Sequence, residues 1–178
     1  MQSGIRNSLI ALTLLLSLVW CSSLAASVQR SGSWFDPTHN GEGFVVQFIN
    51  DSQAVVFWFT YDENGAQRWF TGLGTMSGNQ LQIADLLITQ GGVFGPGFDP
   101  DAVIRSSVGE LNLTFNSDSA GRADYTINNV AGQQTIQRLT RPVEVSTSSE
   151  PNVPHKSGSW FDPTRDGEGF ALEILPSG

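Results

Sequence analysis

Lysine occurs once in this 178-residue chain, cysteine once and histidine twice. Nine Lys and Arg stand against 17 Asp and Glu, a formal charge of −8. A surface so poor in cations repels phosphate backbones and anionic bilayers, which excludes charge-driven binding to nucleic acid or to a membrane surface. A single cysteine builds no disulfide framework, so stability must come from packing. Signatures of catalysis are absent as well. There is no Gly-x-Ser-x-Gly elbow, no His-Glu-x-x-His and no phosphate-cradling loop. No run of one charge marks an acidic tail.

Long apolar runs are also lacking. Leu9–Trp20 has 12 residues with Thr13 and Ser17 inside it, whereas a bilayer span needs about 20. The run follows Arg6 and precedes Ser23-Leu24-Ala25, the order of a secretory signal and its small-residue cleavage site. Residues 1–25 therefore read as a signal peptide cut after Ala25. The mature chain reads as secreted or periplasmic, with no membrane span. Cys21 could end a lipoprotein signal, but Trp20 stands where that signal needs a small residue, so a lipid anchor is not expected.

What the chain has in quantity is glycine (19), Phe (11) and Trp (5), a profile suited to short strands and tight turns. It also has a repeat. Residues 31–44 read SGSWFDPTHNGEGF and residues 157–170 read SGSWFDPTRDGEGF, identical at 12 of 14 positions. The stretches that follow, VVQFI and ALEIL, keep only an alternating pattern, with Gln47 and Glu173 at the matching outward place. The expected organisation is a β-meander module over 26–142, a linker over 143–156, and over 157–178 the truncated start of a second copy. The other arrangement is that the second motif supplies a closing strand to the first unit.

Apolar runs and turn signals alternate through the first unit. Strands are predicted over 43–49, 54–61, 67–73, 81–89, 103–115 with a bulge at Gly109, 122–127 and 133–140. Asp62–Gly65 is a strong hairpin signal, residues 91–101 form a Gly/Pro loop, and 81–88 has the alternative of a short helix. Short connections put sequence neighbours side by side. The fold class is all-β, an antiparallel up-and-down meander closed as a barrel, since closure removes exposed edges; a two-sheet sandwich is the alternative. Within the motif, Trp34 and Phe35 are expected to plug the base, Asp36-Pro37 to start a turn, and Gly41 and Gly43 to take φ values closed to other residues.

The run SGSWFDPTxxGEGF, a strand, and then VFWFTYDENGAQRWFTG resemble the Gly-x-Trp-[Phe/Tyr]-[Asp/Asn]-Pro-x-x-x-Gly-x-Gly-Phe modules of secreted, mostly proteobacterial proteins. The resemblance spans residues 31–74 and again 157–175. It implies a bacterial, exported β-module and brings no activity with it. Lipocalins and streptavidin also open their barrels with Gly-x-Trp, a likeness of fold alone.

Three functional readings follow from the residues. The first is binding without catalysis, with Trp34, Trp58, Trp69 and Phe70 as candidate ligand-binding residues, exposed or lining a cavity, for a small ligand, a glycan or a protein. Alternation puts Phe57 and Phe59 on one face of their strand and Trp58 on the other. The second is a secreted hydrolase using Asp36 and Glu42 as a carboxylate pair. His39 is Arg165 in the second copy, so no repeated role can rest on it. The third is a calcium-stabilised adhesion-type repeat. Asp162, Thr164, Asp166 and Glu173 fall at positions 1, 3, 5 and 12 of a calcium-loop spacing, with Gly167 at 6. Pro163, Gly169 and, in the first copy, Gln47 oppose it. Binding is the reading carried forward, with no cofactor or metal expected.

Overall fold

The structure is a computed structural model and describes residues 30–142, 156–165 and 168–176. The expected signal peptide with Cys21, nearly all of the expected linker, and Asp166 and Gly167 of the calcium reading lie outside the described residues.

Eight strands form one closed barrel in chain order: β1 (Gly32–Phe35), β2 (Gly43–Phe48), β3 (Gln53–Tyr61), β4 (Gln67–Ser77), β5 (Gln80–Gln90), β6 (Ile104–Phe115), β7 (Ala120–Ile127) and β8 (Val130–Arg138). Every neighbouring pair is antiparallel, which makes the fold an up-and-down meander rather than a sandwich. Local turn chemistry sets this order. The Asp62 carboxylate accepts from the backbone N–H groups of Asn64 and Ala66, both at 2.9 Å, and bends β3 into β4. Asn128 and Asn129 both take positive φ (48° and 67°), the conformation a two-residue hairpin loop requires between β7 and β8.

One element differs from the sequence reading. Residues 32–35, where the sequence reading places no strand, form the strand that closes the barrel: Trp34 pairs with Arg138 and Phe35 with Gln137 of β8. Residues 81–88, read as strand with a short helix as the alternative, are strand β5. The register shifts on either side of Leu86, opposite Gly109, break the period of two. Buried Ile83 and Leu86 thereby stand three apart, a spacing that a helix could share.

Apolar side chains fill the interior, among them Trp34, Phe44, Val46, Leu81, Leu113 and Ile136. This is the reverse of the polar lumen of outer-membrane barrels. Among the described residues no helix is long and apolar enough to cross a membrane. One end of the barrel is shut. The Trp34 ring tilts against Phe115 at 5.1 Å, and the guanidinium groups of Arg30 and Arg138 lie over Phe115 and Trp34. The Trp34 indole N–H donates to the Arg30 carbonyl at 3.1 Å.

The second motif forms a separate hairpin of β9 (Gly158–Phe161) and β10 (Gly169–Leu172). It is therefore not the closing strand of the first unit; β1 has that place. The local bonds of the first copy recur in it. Trp160 Nε1 donates to Lys156 O, Thr164 donates through backbone and hydroxyl to Asp162, and Ile174 N donates to Ser157 Oγ, as Trp34, Thr38 and Phe48 do to Arg30, Asp36 and Ser31. Burial does not recur. Trp34 and Phe44 are 1% exposed, while Trp160 and Phe170 are 47% and 67% exposed. The hairpin touches the barrel's outside. The Glu173 carboxylate accepts from the hydroxyls of Ser33 and Thr140, and the Arg165 guanidinium lies 4.5 Å from the Phe98 ring.

Candidate functional site

The other end of the barrel is an open cup of about 860 Å³. Three hairpin turns and the facing ends of β5 and β6 form its rim. Alternation along β3 and β4 turns Trp58 and Phe70 inward. The Trp58 ring meets Phe70 at 5.5 Å, Tyr125 at 4.7 Å and, stacked beneath it, Phe44 at 5.2 Å. Ile88, Val108 and Ile127 add apolar wall. Trp58 is 2% exposed, and its indole N–H is buried with no hydrogen-bond partner. A buried donor left unpaired costs about 1–3 kcal/mol.

Two polar side chains also enter the cup. Gln134, buried on β8, donates through Nε2 to Glu42 Oε2 at 2.7 Å. Glu42 is positioned by the motif's own turn, in which the Glu42 N–H donates to the His39 carbonyl. The turn is anchored by Asp36, 5% exposed. Its carboxylate accepts from the Thr38 N–H (2.8 Å) and Thr38 hydroxyl (2.7 Å), and its second oxygen lies 2.9 Å from His39 Nδ1. Burial pushes the Asp36 carboxyl up, but the Thr38 and His39 hydrogen bonds together outweigh it and hold its pKa below the ordinary carboxylate value.

The two motif glycines have different reasons. Gly41 sits at φ 89°, and the Tyr61 hydroxyl occupies the space where a side chain would stand. Gly43 is not at positive φ, which corrects the sequence reading. A Cβ there would lie 2.7 Å from the Trp34 carbonyl, so glycine is required by the close approach of β1 to β2.

The four candidate ligand-binding residues fall in three places. Trp58 and Phe70 line the cup. Trp34 is at the closed end, under Arg138. Trp69 faces outward with Phe57 and Phe59, lining a cleft of about 460 Å³ whose other wall is Trp160, Phe161 and Phe170 of the hairpin. The proposed carboxylate pair is not joined. The oxygens of Asp36 are taken by Thr38 and His39, and Glu42 turns to Gln134. In the calcium reading, Asp162 accepts from Thr164, and Glu173 is turned to the barrel. Among the described residues no three ligating side chains cluster for a metal.

Tyr125 and Gln134 were not found by sequence reasoning. The stretch QQTIQ offers no contrast that singles out Gln134 as inward. The signal for Tyr125 is its pairing with Gly132, over which its hydroxyl lies, and that needs the register. No protein-family model matches the chain, and comparison with curated proteins gives no match.

Proposed function

We propose that this protein is an exported, non-catalytic binding barrel that takes a small, partly apolar ligand into the open cup. The single observation that carries the reading is Trp58: almost wholly buried, lining the cup, with an N–H that no acceptor meets. Folded proteins pair nearly all such donors; this N–H is itself buried, so a ligand acceptor would reach it only with a shift of the surrounding rings. The cup's volume falls within the roughly 300–1,000 Å³ of small-molecule sites. Its rings offer stacking area, and Gln134 and Glu42 offer polar contacts that fix orientation.

The test is a titration of the full chain with small amphipathic compounds, followed by the indole N–H signals of its five tryptophans. The expected result is that binders move the Trp58 signal and leave Trp34 in place. Binders that move only Trp69 or Trp160 would contradict the cup and favour the outer cleft.

A further inference from the structure

We infer that the ligand class of the cup is an organic cation, a small amine or quaternary ammonium with an apolar body; this rests on the cup being the binding site. The argument begins with charge. Glu42 projects a carboxylate into the cup, and its described partner is the neutral amide of Gln134. Of the other ionic groups at the rim, Glu63 is an exposed carboxylate and the rest are matched. Arg68 pairs with Asp62 at 2.8 Å, and His39 leans on Asp36. Among the described residues no cation pairs with Glu42. Glu42 is part-buried in the cup, and a bound cation would give its carboxylate a counter-charge.

The rest of the cup fits the same occupant. Trp58, Phe70 and Tyr125 present three aromatic rings within one cavity, and ring faces attract ammonium groups. Gln134 spends its N–H on Glu42, which leaves its carbonyl oxygen as a further acceptor toward the cup. The chain's charge of −8 draws cations and repels anions at longer range. An anionic ligand would meet Glu42 head on. A neutral one would leave its charge uncompensated.

The test uses two probes of nearly equal shape, choline and 3,3-dimethylbutan-1-ol, which differ in the positive charge and share a hydroxyl. Each is titrated into the full chain and read by the Trp58 indole signal. Choline is expected to bind at least about tenfold more tightly. In Glu42→Gln, where the side-chain amide oxygen can still accept from Gln134, the preference is expected to vanish while the fold, checked by the Trp34 signal, is kept. Equal affinity of the two probes in the unaltered chain would overturn the cation inference and leave the cup as a binding site. Failure of both probes to move Trp58 would overturn both.

Discussion

Trp34 and Trp58 are buried to the same degree, 1% and 2% exposed, at opposite ends of one barrel. They differ in what their indole N–H groups do. Trp34 donates to Arg30, and Arg138 covers its ring, so the end it fills is shut. Trp58 lines the cup, has rings around it and has no acceptor. The difference is that one indole N–H is spent on a bond inside the protein and the other is left without a partner. The second motif sharpens the point. Trp160 makes the same bond to the residue four positions earlier while half exposed. The motif therefore encodes the hairpin and its indole bond locally, and the barrel decides whether that indole becomes core.

The largest expected effect breaks the closed end. Trp34→Ala should cost roughly 3–5 kcal/mol in denaturant unfolding, while Trp160→Ala, in a hairpin that is mostly exposed, should stay within about 0.5 kcal/mol. Equal costs would mean that Trp34 is not the plug. Next is the rim. Gly41→Ala combines positive φ with the Tyr61 hydroxyl and should cost on the order of 1 kcal/mol or more; an unchanged melting temperature would remove that turn from the account.

A smaller effect appears with pH. The Asp36 carboxyl is held below its ordinary value in the folded state, so the unfolded chain binds the proton first as pH falls. The stabilisation is complete above the unfolded pKa and drains away as pH drops through the lowered, folded one. Acid unfolding of Asp36→Asn should accordingly be shallower below about pH 4 than that of the unaltered chain. Identical acid limbs would show that Asp36 makes no such contribution. The smallest effect is expected from removing residues 143–178. The hairpin meets the barrel through surface polar contacts such as Glu173 with Ser33 and Thr140, which are worth little. The melting temperature should scarcely move, and a fall of many degrees would make the hairpin part of the barrel's stability.

Much of this was legible in the residues. Alternation alone puts Trp58 on one face and Phe57 and Phe59 on the other, and Asn64-Gly65 marks its hairpin. The meander follows from short turns. Strand β1 was hidden because four residues between Ser31 and Asp36 carry no pattern of their own; its partner β8 lies about a hundred residues away. The cup's chemistry was hidden for a related reason. Glu42 and Gln134 are 92 positions apart, and no local spacing joins them. Glu42 stood out only beside Asp36, the nearest acid in sequence, and the fold turns the two to different partners.

The most direct measurement compares Trp34→Phe with Trp58→Phe by equilibrium unfolding. Both changes shrink an equally buried ring and delete one N–H. At Trp34 the change also breaks a bond and strands the Arg30 carbonyl; at Trp58 it removes a donor that has no partner. The account predicts that Trp34→Phe costs about 1–2 kcal/mol more than Trp58→Phe. If Trp58→Phe is as destabilising as Trp34→Phe, the Trp58 N–H already has its partner within the protein, and the cup is not waiting for one.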